Sequence, residues 1–368
     1  MDIQTKIDLV KRSPTEELVT EADLKKIFET YQTPRHYIGF EISGMIHIGS
    51  GLCTSMKIND FIKAGVKPTI FLANYHSYIN EKLGGDLEKI QNVALGYFKH
   101  AFVSLGLDDS KVDYVLASNL YDKDYWKMVL KISKDTTLKR MMRCLTIMGR
   151  KESENTSCAG VVYPAMQAAD IFQLDVQIAH AGMDQRKIHM LARELSHTYK
   201  RDFVAVHGHL LPGLQGPGRM NSPGVSTGDQ KPSDVDVAVE EEMDAKMSKS
   251  KPDSAIFIHD SEDQIKNKIK KAYCPEKIVD GNPIIEYAQY LIMREKPLKI
   301  TRPSKFGGDL EISTSDELKQ VYQEGKLHPM DLKAAVTSEL SILLKPSREY
   351  FEKNKHYLEQ IQVKDITR

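Results

Sequence analysis

The sequence predicts a doubly wound α/β layer followed by a mostly helical domain. Three observations carry that expectation. Between residues 36 and 207, short apolar runs alternate with stretches of helical period, the pattern of a parallel sheet with crossover helices. At about residue 212 the composition shifts to Gly, Pro, Ser and Asp (PGLQGPGRMNSPGVSTGDQKPSDVD), which reads as a long loop followed by an acidic run at 240–242. After Lys251 the remaining segments have helical character.

Taken in order, residues 1–33 are charged and read as helical. HYIGFEIS at 36–43 is the first buried strand, followed by Gly44 and a helix from about Ile48. PTIFLAN at 68–74 is a second strand, 86–105 a helix, and VDYVLA at 112–117 a third strand. A Lys-, Arg- and Met-rich helical stretch covers 124–150. Then come a helix at 163–174, a strand at 176–180, a helix at 185–199 and a strand at 203–207. Further helices are expected at 262–273, 284–293, 315–322, 329–344 and 347–360. The partition is therefore an N-terminal segment at 1–33, an α/β domain at 34–211 with a helical insertion at about 120–158, a linker at 212–256, and a helical domain at 257–368. In such α/β sheets the ligand lies beyond the carboxyl ends of the strands.

Bulk composition narrows the function classes. With 51 basic and 51 acidic side chains among 368 residues, the chain is not polybasic, although a local basic face for RNA stays open. No apolar run approaches the ~18 residues a membrane span needs, so no membrane role is expected. Cys53, Cys144, Cys158 and Cys274 lack CxxC spacing and read as free thiols in a reducing compartment, which makes the cytoplasm the expected location. No permanent metal site is visible.

Two motifs carry phosphate chemistry. Lys246-Met247-Ser248-Lys249-Ser250 lies beyond the α/β layer; a fixed pentapeptide arises by chance in such a chain on the order of 10⁻⁴ of the time. Two lysines on a loop suit a polyphosphate that must be gripped and released, against the bland alternative of a solvated Lys/Ser loop. His47-Ile48-Gly49-Ser50 follows the first strand and opens a helix, whose free N–H groups and dipole suit phosphate. Gly49 allows close approach of a nucleotide, and His47 can donate to charge growing on an α-phosphate. The bland alternative for His47 is a structural cap.

A third constellation is a polar helical face. Tyr163, Gln167 and Asp170 are spaced by four and three, so a phenol, an amide and a carboxylate share one side of a helix. That face reads as a polar surface aimed at a ligand, with a capping carboxylate as the bland alternative for Asp170. Gly182-Met183-Asp184-Gln185-Arg186 begins at a strand end and runs into the next helix, again where a ligand sits.

In order and separation, HIGS and KMSKS resemble the paired motifs of class I aminoacyl-tRNA synthetases, with their Rossmann-like core. Ser50 departs from the usual second histidine; it can donate a hydrogen bond but carries no charge. With YIGFE at 37–41 and the two segments above, the chain resembles the archaeal and eukaryotic branch of the tyrosyl-tRNA synthetases from the first strand to about Lys333. The resemblance implies that Tyr37 and Asp170 bind the substrate's phenolic hydroxyl, and that Tyr163, Gln167 and Gln185 hold its ammonium. It implies Asp184 at the ATP ribose, backbone room for the adenylate at Gly39, Gly49 and Gly182, and His47, Ser50, Lys246 and Lys249 around the phosphates. A pocket burying Asp170 and Tyr37 rejects phenylalanine, which leaves both unpaired; tyrosyl enzymes are the reference case of this asymmetry, so the argument is taken over from them.

For RNA, the resemblance implies Arg143 and Arg186 at the acceptor stem and Phe306, His328 and Asp331 at the anticodon's first base. Arg143 shares a basic cluster with Lys139 and Arg140, whose bland reading is a solvated face. Asp331, just after His328-Pro329, reads equally well as a helix cap. The implied partners are tRNA(Tyr), L-tyrosine and ATP with Mg²⁺, in a homodimer. Rival readings are a tryptophanyl-tRNA synthetase, disfavoured by the Tyr37/Asp170 pair, a small-molecule nucleotidyl transferase of similar architecture, and a synthetase-like RNA-binding protein without catalysis.

Overall fold

The computed structural model describes residues 1–149, 156–217, 247 and 254–361. They form two compact units, one from the described parts of Met1–Met45, Thr54–His209 and Lys353–Arg368, the other from those of Ile46–Cys53 and Leu210–Glu352.

The first unit is built on a six-stranded sheet in the order β1-β6-β5-β2-β3-β4. Its strands are β1 (Thr15–Val19), β2 (Arg35–Phe40), β3 (Lys67–Leu72), β4 (Asp113–Leu116), β5 (Ile178–Gly182) and β6 (Val204–Gly208). The five strands β2 to β6 are parallel, as the alternating pattern predicts. The chain winds from β2 outward through β3 and β4, then returns to β5 on the other side of β2. That reversal opens a crevice at the carboxyl ends of β2 and β5, where α/β sheets hold their ligands.

The N-terminal segment corrects the all-helical expectation. Helices Ile3–Lys11 and Glu21–Thr30 flank β1, which pairs antiparallel with β6 at the sheet edge. Adjacent Glu16 and Glu17 masked the strand, because two glutamates favour helix by propensity. Tertiary pairing overrides that preference: Glu17 meets Arg186 and His207.

One face of the sheet is covered by the helix Cys158–Gln173, packed against Lys123–Asp135 around Tyr125, Val129, Ala165 and Ala169. The alanines let helix and sheet approach closely. The other face is closed by the N-terminal helices, with Ile7, Val10, Leu24 and Phe28 set against Phe61, Ile178, Val204 and Val206. Lys57 is buried in the helix Thr54–Lys63 and ties it to the N-terminal segment. Its ammonium donates to the carbonyls of Leu9 (2.8 Å) and Arg12 (2.7 Å) and lies 3.4 Å from Asp60, itself 3.5 Å from Arg12.

The second unit contains the helices Glu262–Lys271, opened by a Ser261/Gln264 capping box, and Pro283–Tyr287, capped by Asn282. Two expectations change here. The helices expected at 329–344 and 347–360 are one helix, Pro329–Lys353, that runs through Pro346; the short helix Lys355–Glu359 after it belongs to the first unit. Pro346 removes the backbone donor for the Ile342 carbonyl one turn back; on the adjoining turn, Arg348 Nη2 donates to the Ser341 carbonyl at 2.7 Å. A two-stranded hairpin, β7 (Leu298–Ile300) with β8 (Leu310–Ile312), was not expected, because three-residue strands are too short to show a period. Among the described residues, no helix is long and apolar enough to cross a membrane.

Lys57→Met removes a buried cation and leaves Asp60 and two carbonyls without it. It is expected to lower the unfolding free energy by roughly 3 kcal/mol in urea denaturation; a loss below about 0.5 kcal/mol, the scale of an ordinary surface substitution, contradicts the tie.

Candidate active site

At the crevice, Tyr37 and Gly39 sit two apart on β2 and so point to the same face of the sheet. Tyr37 is buried and meets Phe71 edge-on, with ring centroids 5.8 Å apart. A Cβ on Gly39 would lie 3.1 Å from the Tyr37 hydroxyl oxygen, so glycine here keeps space open beside that phenol. The helix Cys158–Gln173, capped by Ser157, brings Tyr163, Gln167 and Asp170 to one face as their spacing predicts. That face is not a polar surface, however. Asp170 is only 1% exposed and Tyr163 is buried with it.

Asp170 Oδ2 lies 3.6 Å from His76 Nε2, while Oδ1 has no hydrogen-bond partner among the described residues. His76 Nδ1 is 3.1 Å from the Tyr121 hydroxyl, and its ring meets Tyr163 edge-on at 4.4 Å. Tyr121 in turn stacks on Tyr125 at 3.8 Å. Burial pushes the Asp170 carboxyl well above the usual carboxylate range, although the Tyr121 and Tyr125 hydroxyls pull it down. Burial also depresses His76 to about 3, so its imidazole is neutral. Tyr37 is raised, by burial first and by Asp170 second, and keeps its proton. The wall is therefore a set of buried polar groups, one of them lacking a donor, in a setting where an unmet hydrogen bond is costly.

A second polar group surrounds Glu41, just past the end of β2. Its Oε1 accepts from the Tyr163 hydroxyl and from Asn80 Nδ2, each at 2.8 Å. Gln167 Nε2 donates to Gln185 Oε1 at 3.1 Å, and Gln185 Nε2 donates to the Ile147 carbonyl at 3.1 Å. Ile147 thus orients the Gln185 amide, and Gln185 orients that of Gln167. Glu41 Oε2 also lies 3.7 Å from Lys82 Nζ, so donors already surround this carboxylate. Gly182 ends β5, and Asp184 follows in the turn Met183–Gln185, half-buried.

In the second unit, the two phosphate motifs are tied together. Ile48 N–H donates to the Ile256 carbonyl (2.9 Å) and Ile258 N–H to the Ile46 carbonyl (3.1 Å), so His47 bridges Phe257, a few residues past the pentapeptide. Met247, buried, donates its N–H to the Leu211 carbonyl at 3.1 Å, and Leu211 packs 3.6 Å from where a Gly49 Cβ would stand. Lys246 and Lys249 lie outside the described residues.

The expectation of free N–H groups after His47 is corrected. Gly49–Cys53 is a wide π turn in which Ser50 N–H donates to His47 Nδ1 (3.2 Å) and Gly51 N–H to the His47 carbonyl (2.8 Å). His47 is thus a cap. Accepting at Nδ1 places the neutral ring's proton on Nε2, which leaves that edge a donor. A Cβ at Gly49 would stand 3.2 Å from the imidazole, so this glycine makes room for His47 itself.

In the same unit, Phe306 is 59% exposed on the turn Ser304–Phe306, with Lys305 Nζ 4.8 Å from its ring centroid. Arg302 braces that turn: Nε donates to the Gly308 carbonyl (2.7 Å) and Nη1 to the Lys326 carbonyl (2.8 Å), two residues before His328. His328 Nδ1 accepts from Met330 N–H at 3.2 Å, so His328, not Asp331, caps the helix Pro329–Lys353. Arg143 is exposed, whereas its neighbour Arg140 is paired with Glu194 at 2.8 Å.

A family model described as tRNA synthetases class I (W and Y) matches residues 30–345. A tyrosine–tRNA ligase of Thermococcus gammatolerans is 50% identical over the full length of both chains. The crystal structure of the Pyrococcus horikoshii tyrosyl-tRNA synthetase complexed with L-tyrosine superposes with a TM-score of 0.90 at 48% identity, covering 98% of this chain and 99% of that one. The chain belongs to the class I tRNA synthetases, in their archaeal tyrosyl branch. A tryptophanyl-tRNA synthetase from Aeropyrum pernix shares the fold, at 18% identity and a TM-score of 0.65. Membership brings ATP with it as a substrate.

Within this synthetase, sequence reasoning missed His76, Tyr121, Tyr125, Asn80 and the role of Glu41. His76 and Asn80 lie just past the carboxyl end of β3, so the strand-end rule was the available signal; no local motif marked them.

Asp170 makes stability depend on pH. Between the ordinary carboxylate value of about 4 and the raised folded value, the folded chain keeps a proton that the unfolded chain has lost. Stability therefore falls as pH rises through that window. Asp170→Asn is expected to gain on the parent chain by up to about 1.4 kcal/mol per pH unit above about pH 4. Melting curves at pH 4.5 and 7.5 check this; an Asn-minus-parent difference that does not grow with pH contradicts it.

Proposed function

We propose that this chain is a tyrosine–tRNA ligase that reads its amino acid through the buried polar wall at Asp170. The observation that supports this reading is the Asp170 oxygen with no partner, set in a wall with Tyr37, His76 and Tyr121. A phenolic hydroxyl supplies the missing donor and accepts from Tyr37. An indole can donate through its N–H but cannot accept from Tyr37, and a phenyl ring meets neither need. Tyr163, Gln167 and Gln185 hold the ammonium group.

The reaction has two steps. A carboxylate oxygen of tyrosine attacks the α-phosphorus of ATP, the bond to the β-phosphate oxygen breaks, and pyrophosphate leaves with Mg²⁺. A terminal ribose hydroxyl of tRNA(Tyr) then attacks the activated carbonyl, and AMP leaves. No side chain forms a covalent bond; catalysis is positioning and charge stabilisation. His47 donates from Nε2 to the phosphate, Lys246 and Lys249 carry the polyphosphate charge, and Asp184 takes the ribose. Gly39, Gly49, Ser50 and Gly182 line the nucleotide.

On the RNA side, Arg143 and Arg186 meet the acceptor stem. Phe306 stacks on an anticodon base while His328 and Asp331 meet its edge, the usual mode of single-strand recognition. Exposed Trp126, Leu130 and Leu138 on the insertion helices form the face of a homodimer. The enzyme works in the cytoplasm.

ATP–pyrophosphate exchange tests the substrate: tyrosine supports it, while tryptophan, phenylalanine and buffer do not. Exchange driven by tryptophan as well as by tyrosine overturns the reading. Tyr37→Phe is expected to lower kcat/KM for tyrosine by about tenfold to a hundredfold, with a smaller loss for phenylalanine. Lys249→Ala is expected to slow exchange far more than it weakens tyrosine binding; an unchanged rate removes the lysine from the mechanism.

A further inference from the structure

Arg186 opens the helix Arg186–Tyr199, and its side chain is 28% exposed. Only its Nε is engaged, 2.9 Å from each of Glu17 Oε1 and Oε2. A guanidinium meeting a carboxylate in bidentate fashion spends two nitrogens. Here one nitrogen meets both oxygens, and both Nη groups remain without a hydrogen bond among the described residues. Glu17 is fixed from behind: its Oε2 takes a 2.6 Å bond from His207 Nδ1, on β6. His207 is fully buried, and its Nε2 lies 3.0 Å from Nδ1 of His189, also fully buried.

His189 is one turn along the helix that Arg186 begins. The chain Arg186–Glu17–His207–His189 is therefore a closed ring joining that helix, β1 and β6. Proton placement follows from Glu17. A carboxylate only accepts, so His207 donates to it from Nδ1. His189 Nε2 has no hydrogen-bond partner among the described residues. Burial keeps His189 well below the usual histidine range, so it adds no charge.

We propose that Glu17 is a positioning residue for Arg186: with His207 and His189 behind it, it grips Nε and presents both Nη groups to the acceptor end of the tRNA. Three buried or half-buried polar side chains serve one carboxylate, where apolar residues would fill the same space at no desolvation cost. What the ring provides is a fixed direction for the guanidinium. Direction matters because a planar fork recognises phosphates and base edges only when aligned. The proposal rests on the tRNA ligase reading above, and it assigns the Glu17 strand to the RNA step, not to amino-acid activation.

The test compares Glu17→Ala, Glu17→Gln, Arg186→Ala and the Glu17→Ala/Arg186→Ala pair in the full-length enzyme. Tyrosine-dependent ATP–pyrophosphate exchange and steady-state aminoacylation are measured for each. Glu17→Ala is expected to raise KM for tRNA about tenfold, with exchange kcat and KM for ATP within about twofold of the parent. Glu17→Gln keeps one acceptor for Nε and is expected to lose only about threefold. The double variant is expected to be no worse than Arg186→Ala, because the two residues act as one unit. Losses that multiply in the double variant, or exchange that falls in parallel with aminoacylation, show a merely structural Glu17 and overturn the proposal. A raised KM for ATP moves the Nη groups to the nucleotide and overturns it too. If Arg186→Ala leaves KM for tRNA unchanged, the RNA reading of Arg186 fails; if only Glu17→Ala leaves it unchanged, the positioning role alone fails.

Discussion

On the proposed reading, the amino-acid side of this enzyme depends on one hydrogen bond that is unmet among the described residues. Asp170 is buried by a helix that the sheet and the helix Lys123–Asp135 hold in place, and one of its oxygens has no donor. Such a group is expensive to keep, and among the described residues only the Tyr121 and Tyr125 hydroxyls ease its burial. His76 approaches it as a neutral ring at 3.6 Å, and Tyr121 is turned to His76 Nδ1. Gly39 keeps a side chain from closing on the neighbouring Tyr37 hydroxyl. On the proposed reading the wall is incomplete alone, and a phenol completes it. Selection of substrate and loss of stability are then two consequences of the same burial.

The phosphate side works differently. There the polar backbone groups around His47 are committed to one another. His47 caps its own turn, Ser50 N–H is used in that cap, and the turn is stitched to the segment that follows the pentapeptide. The effect is to fix the imidazole in one tautomer with its Nε2 edge as donor. A histidine held this way acts as an oriented dipole, which suits a phosphate whose charge grows during reaction. The bland and the functional readings of His47 are thus not rivals, since the cap sets the direction of the donor.

The fold was legible where pattern was long. Five parallel strands follow from the alternation of apolar runs and helices, and the Tyr163, Gln167 and Asp170 face follows from spacing alone. The first strand was hidden because Glu16 and Glu17 favour helix, and only distant partners, Arg186 and His207, make a strand of them. Burial of Asp170 was hidden for a related reason: spacing shows which residues share a face, not what covers it. His76 and Tyr121 reach the site from separate segments with no motif, and Glu41 gains its role from Tyr163 and Asn80, far away in sequence. Local sequence reports period and composition; a buried polar network is made of long-range pairs.

Binding calorimetry on the unmodified enzyme, without ATP or tRNA, puts the central claim to its most direct test. L-tyrosine, L-phenylalanine and L-tryptophan are titrated separately. The account predicts saturable binding for tyrosine and none for the other two at the same concentrations, because only a phenol both gives Asp170 a donor and accepts from Tyr37. Phenylalanine binding within about tenfold of tyrosine would mean that the unmet bond at Asp170 is not what selects the substrate.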